Sequence, residues 1–126
     1  MNHYAEDKLL KIVEEVLDLD PAMRFVAVID LKGNILEAIM KEKKTSLETQ
    51  KQQEKFCKDS AKTRLMREYY DNSLGKTRYA HIERENVTQI YLYPQNSTIF
   101  VTMEPELSID SKMSIITKIK KITSNL

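Results

Sequence analysis

The stretch RFVAVIDLKGNILEA, residues 24–38, constrains the fold more than any other part of the chain. Six of the seven residues from Phe25 to Leu31 are apolar, and they do not alternate with polar ones. A strand with one face in water alternates; the run Phe25, Val26, Ala27, Val28, Ile29 needs cover on both faces. Asp30-Leu31-Lys32-Gly33-Asn34 then supplies a turn, and Gly33 can take the positive φ that tight hairpins require. The reading is a hairpin of Arg24–Ile29 and Ile35–Met40, its first strand covered above and below. It is scaffold rather than site.

A chain of 126 residues with 41% apolar and 31% charged residues can close one core without metal or disulfide. A single domain over residues 1–126 is expected. Cys57 is the only cysteine, which excludes an intrachain disulfide framework and fits a reducing, cytoplasmic setting. The N-terminal MNHYAEDKLLKIVEEVL has no basic-then-apolar leader pattern, and no apolar run approaches the roughly 18–20 residues of a membrane span. The net charge of +1 gives no general pull toward nucleic acid or membrane. Acidic residues gather before Asp30 and basic ones between Lys41 and Arg67, a pattern read first as solvated helix faces.

Periodicity places a first helix at residues 4–18, with Leu9, Leu10, Val13, Val16 and Leu17 on one face, ended by Asp20-Pro21. A long second helix is expected from Thr45 to about Tyr70. Thr45-Ser46-Leu47-Glu48 reads as its capping box, and Asp71–Gly75 as its break. Strands follow at Arg78–Glu83, Thr88–Tyr93 and Thr98–Met103, separated by Arg84-Glu85-Asn86 and Pro94–Ser97. A third helix spans about Ile109–Thr123, with Met113, Ile116, Ile119 and Ile122 on one side. The expected fold is α+β, in the order α-β-β-α-β-β-β-α. Its five-stranded antiparallel sheet carries the second helix on one face and the first and third on the other.

This order, together with FVAVIDLKGNILEA and QIYLYPQNSTIFVTME, resembles the roadblock/dynein light chain superfamily, whose folds are related to profilin-like and longin domains. The resemblance rests on the D-x-x-G turn of Asp30 and Gly33 and on the run from Tyr93-Pro94 through a turn to Val101. The segment LGKTRYAHIEREN is also similar to a group of short archaeal proteins. The second helix departs from the family's alanine-rich pattern in its polar stretch LETQKQQEK. The resemblance implies homodimers or heterodimers with paired second helices and sheets joined edge to edge. Such dimers are platforms for small Ras-like GTPases, motor complexes or membrane-associated scaffolds.

The spacing of the second helix bears on self-association. Projected at about 100° per residue, Leu47, Cys57, Ala61, Leu65 and Tyr69 form one stripe, read as sheet-facing. Phe56, Thr63, Met66 and Tyr70 form another on nearly the opposite side. A helix on a sheet needs one apolar stripe, so the second is read as a dimer interface. Strand Arg78–Glu83 should be a sheet edge, which brings Tyr79 and His81 into the same candidate interface.

No residue is assigned a catalytic, cofactor-binding or metal role. His81 and Glu83 share a strand face but lack a nucleophile or a cradle, so they read as a surface pair. His3 and His81 are the only histidines and show no ligand spacing. Gly33 and Gly75 cannot form a phosphate loop, and Cys57 reads as a buried structural thiol. The function expected is a non-enzymatic dimeric regulatory or scaffold platform, with a small Ras-like GTPase as candidate partner. Two alternatives stand beside it. One is a small-molecule sensor of PAS/profilin-like architecture with a pocket between sheet and helix. The other is weak RNA binding through the basic second helix and the strand pair Tyr91 and Tyr93; nucleic acid is the less favoured partner.

Overall fold

The apolar run of residues 25–29 is strand interior, and both of its faces are covered. The computed structural model describes residues 6–42, 44 and 46–126. Its elements are α1 (Glu6–Leu17), β1 (Met23–Asp30), β2 (Ile35–Met40), α2 (Gln50–Glu68), α3 (Asp71–Leu74), β3 (Tyr79–Glu83), β4 (Thr88–Leu92), β5 (Ser97–Met103) and α4 (Ile109–Ile122). The five strands form one sheet in the order β2-β1-β5-β4-β3, with every neighbouring pair antiparallel. β1 therefore lies between β2 and β5, and β3 is an edge, as expected.

Alternation along each strand divides the core into two layers. Val26, Val28, Ile90, Ile99, Val101 and Met103 face Leu9, Val13 and Val16 of α1 and Ile115, Ile116 and Ile119 of α4. Ala27, Ile29, Tyr91 and Phe100 face the other way, toward Cys57 and Phe56 of α2. The α+β sandwich thus has α2 on one face and α1 with α4 on the other. The one added element is α3, a single turn closed by Gly75 at φ +83°.

Helix α2 begins later than the sequence suggests. Thr45 lies outside the described residues, and the capping box is Thr49-x-x-Gln52: Gln52 N donates to Thr49 Oγ1 at 3.1 Å and Thr49 N donates to Gln52 Oε1 at 2.8 Å. Both stretches satisfy the local pattern. Connectivity decides between them, because the chain must return from edge strand β2 across the sheet before a helix can lie on it. Ser46 serves that crossing, donating to Glu48 O at 2.7 Å and accepting from Gln53 Nε2 at 3.0 Å.

The phase of α2 also differs. Cys57 and Ala61 face the sheet as expected, joined by Ser60 and Arg64, but Leu65 and Tyr69 are exposed. Residues four apart drift by about 40° per step, so a string of fours from Cys57 to Tyr69 winds out of the interface. Phe56 is the converse case. It lies on the flank of the packed arc, and its ring reaches under the helix to Phe100 and Tyr91, with centroids 4.9 and 6.0 Å away. It is a core residue of its own subunit rather than part of the outward stripe.

Two contacts hold α2 on the sheet. Arg64, 6% exposed, donates through Nη1 to Ser97 O and to Thr98 Oγ1 at 3.2 Å, and through Nη2 to Pro94 O at 2.6 Å. Its guanidinium also lies 5.0 Å from the Tyr93 ring centroid. Midway along the helix, the β1–β2 turn presses against α2 backbone. At φ +92°, Gly33 is placed so that a Cβ would sit 2.8 Å from Lys58 Cα and 2.9 Å from Cys57 O. Asp30 builds that turn, its Oδ1 accepting from Lys32 N at 2.9 Å and Asn34 N at 2.8 Å. Asn34 Oδ1 in turn accepts from Lys58 Nζ.

Two outcomes follow. Gly33→Ala should lower the unfolding free energy by about 2–3 kcal/mol, since left-handed backbone strain adds to contact with unyielding backbone atoms. Arg64→Leu should cost a similar ~2–3 kcal/mol by stranding buried acceptors, and Arg64→Lys should recover only part because an ammonium cannot span them. Urea denaturation midpoints of the three variants against wild type measure both.

Candidate functional site

Two features on the α2 side of the sheet are candidates, and both follow from how little of that face one polar helix can cover. Cross-strand register sorts the face into transverse rows. The row Ala38, Ala27, Phe100, Tyr91, Ala80 crosses all five strands and lies beneath Cys57 and Phe56. The next row, Met40, Phe25, Thr102, Gln89, Ile82, is equally continuous. It floors an open cleft of about 740 Å3, roofed by Leu47, Gln53, Phe56 and Cys57 and rimmed by the β3–β4 turn.

The floor of the cleft carries two polar side chains among apolar ones. Gln89 and Thr102 are each 9% exposed and stand directly opposite one another on β4 and β5. Among the described residues neither side chain makes a hydrogen bond within the protein. Cys57 in the roof is 2% exposed, and burial, helped by the nearby Glu48 and Glu54 carboxylates, pushes its thiol up to about 11. It is a poor nucleophile at neutral pH, as the reading of a structural thiol requires. Facing the sheet also takes it away from the outer surface of α2, so it is not placed to meet a second copy there.

The second feature is on the outer side of α2. Leu65, Met66, Tyr69 and Tyr70 lie on an arc opposite the packed face, and Leu74 of α3 follows them. These five side chains are between 54% and 81% exposed. The Tyr69 and Tyr70 rings meet edge to face with centroids 5.0 Å apart. Of the residues expected in a dimer interface, only Met66 and Tyr70 are here. Phe56 is packed inside, and Thr63 is half-buried on the flank, donating to Asp59 O at 3.0 Å. Tyr79 and His81 are on the opposite sheet face, where the Tyr79 hydroxyl donates to Met113 Sδ of α4 at 3.6 Å.

The β3 strand pair is a structural knot. Glu83 Oε2 accepts from His81 Nε2 at 2.6 Å and from Lys112 Nζ at 2.8 Å, and Oε1 accepts from Thr88 Oγ1 at 2.6 Å. Burial alone would raise the Glu83 carboxyl, but these donors, Lys112 foremost, hold it down at about 2. The group ties edge strand β3 to α4 through the buried ammonium of Lys112, which also donates to Pro105 O at 3.0 Å. Four of the six basic residues of α2 are similarly occupied. Arg64 and Arg67 both address Tyr93, Lys55 pairs with Asp59 at 2.8 Å, and Lys58 holds the β1–β2 turn. Tyr91 is buried under α2 instead of presenting a face for base stacking.

Neither the cleft row nor the Leu65–Tyr69 diagonal is announced by local sequence pattern. The row depends on strand register, which has no local signal. A string of fours puts the diagonal on the sheet, whereas a full 3.6-residue projection anchored on Arg64 separates the two arcs.

The depressed Glu83 carboxyl makes stability acid-sensitive. A folded value near 2 against an ordinary 4.5 is a contribution present above pH 4.5 and lost as pH falls toward 2. Glu83→Gln should therefore be less stable than wild type at pH 7, by about 1 kcal/mol given the carboxylate's solvent screening. The difference should vanish near pH 2, which thermal unfolding of both proteins from pH 7 to 2 measures.

Solved structures share this fold. An MglB structure with a tetrameric arrangement superposes with a TM-score of 0.78 at 10% identity, covering 98% of this chain and 91% of that one. The gliding protein MglB from Thermus thermophilus gives 0.78 at 11% identity, covering 98% and 92%. A Roadblock/LC7 domain from Streptomyces avermitilis gives 0.66 at 7% identity, covering 88% and 90%. The fold is thus the roadblock, profilin-related one that the sequence resembles. No curated protein matches the chain in sequence. Residues 7–125 match the model of DUF6659, a family of unknown function, and the chain belongs to that family.

Proposed function

We propose that the chain is a non-enzymatic regulatory scaffold that works as a homodimer in the cytoplasm, its paired subunits forming a platform for a small Ras-like GTPase. The observation that carries this reading is the apolar arc of Leu65, Met66, Tyr69 and Tyr70, continued by Leu74, on the side of α2 that the fold does not use. A monomer gains nothing from five large apolar side chains gathered in water. The occupant that fits is a second copy. In an isologous contact the same arc supplies both halves, the roadblock resemblance implies pairing through second helices, and a structure of this fold has been solved in a tetrameric arrangement. Tyr79 and His81 join the contact only if the β3 edges also pair, and Thr63 borders it. Among the described residues no helix is long and apolar enough to cross a membrane.

Light scattering tests this directly. Wild type at about 50 µM, where an interface with aromatic anchors is expected to hold, should have the mass of a dimer. Met66→Asp and Tyr69→Asp should each weaken it at least about thirtyfold, the effect of losing a buried anchor, while leaving the melting of the monomer unchanged. A monomeric wild type at that concentration ends the reading.

A further inference from the structure

The cleft beside α2 is independent of the outer arc and uses different residues. Its floor is one transverse row of the sheet, and the chemistry of that row is specific. Phe25 and Ile82 flank a central pair, Thr102 and Gln89, whose side chains are nine-tenths buried and make no hydrogen bond within the described protein. With no partner in the described protein, their polar groups are left to the solvent of the cleft, where a ligand can take its place. We propose that this cleft binds a neutral planar heteroaromatic ring of the purine class, read by Gln89 and Thr102.

The planar ring follows from the aromatic walls, and the volume leaves ample room for it. About 740 Å3 lies within the range of small-molecule sites, and the walls are the faces and edges of Phe25, Phe56 and Phe100. The hydrogen-bonding edge follows from Gln89. A carboxamide presents an acceptor beside a donor and pairs in two-point fashion with a ring nitrogen next to an amino group, or a ring N–H next to a carbonyl. The hydroxyl of Thr102, opposite Gln89, adds a third point. Neutrality follows from the rim. Arg24 pairs with Glu104 at 2.9 Å and Glu83 with Lys112 at 2.8 Å, which sets Glu48 and Glu85 of the rim against Arg84. Nothing there favours a phosphate, so a free base or nucleoside fits and a nucleotide does not.

Titrations of adenine and of hypoxanthine into the 15N-labelled full chain, followed by amide shifts, test the site. The expected result is saturable shifts at residues 88–90 and 101–103 with one or both purines, and at least tenfold weaker binding of indole, which has the same shape without the paired edge. Gln89→Leu should lose at least tenfold in affinity. Ile82→Trp, a change at a partly exposed position, should block binding by filling the cleft, and it serves if the Gln89 variant does not fold. The monomeric Met66→Asp variant should bind as wild type does, so failure of the dimer reading leaves this one standing. No shift with either purine up to its solubility, equal shifts with indole, or binding retained in a folded Gln89→Leu or Ile82→Trp variant overturns the proposal.

Discussion

The attachment of α2 by a buried guanidinium is the constraint from which the rest follows. Most helices lie on a sheet by an apolar stripe. α2 contributes only Phe56, Cys57 and Ala61 to such a stripe, together with Ser60 and Arg64. Arg64 replaces what is missing with donors to Ser97 O, Thr98 Oγ1 and Pro94 O, so the C-terminal half of the helix is fixed to the β4–β5 turn in one rotational setting. Charge-assisted bonds to buried acceptors are directional in a way that apolar contact is not. That setting decides which side chains face outward, and it turns Leu65, Met66, Tyr69 and Tyr70 to solvent.

The same economy of cover explains the cleft. The small residues of α2 suit a close approach over the row Ala38, Ala27, Phe100, Tyr91, Ala80, whose alanines leave room for it. Gly33 lets the hairpin turn meet the helix backbone at Lys58, which fixes the helix lengthwise. With both positions set, α2 cannot also descend onto the neighbouring row. Met40, Phe25, Thr102, Gln89 and Ile82 are left beneath a roof made by the crossing segment and the first turns of the helix.

How much of this is readable in the sequence depends on the range of the signal. Phe25–Ile29 declares a doubly covered strand because burial on two faces abolishes alternation, and the two-layer core confirms it. The helix layers follow from the same argument, whereas the pairing of β1 with β5, which sets the strand order, has no local signal. The start of α2 is not legible because Thr45–Glu48 and Thr49–Gln52 satisfy one local rule equally, and only the path from β2 chooses. Phe56 is not legible because a ring on the flank of a helix can swing either way, and the aromatic partners that draw it in, Tyr91 and Phe100, come from strands far along the chain. Gln89 and Thr102 become neighbours through register alone, so no spacing in the sequence announces them.

The reversal of the usual amphipathic logic in α2 separates fold from function. In α1 and α4 the apolar side faces the core and the charged side, Lys112 apart, faces water, so each helix is explained by the sheet it covers. In the last turns of α2 the buried side includes Arg64, and the exposed side carries Leu65 and Met66 along with Lys62 and Glu68. Folding of the subunit explains the first half of that statement, since Arg64 has acceptors to satisfy. It does not explain the second half: replacing the outer arc with lysines and glutamates would leave every contact of the subunit's core intact. The proposed contact with a second copy would use this arc, and its position on a rigidly clamped helix would give that contact a fixed geometry.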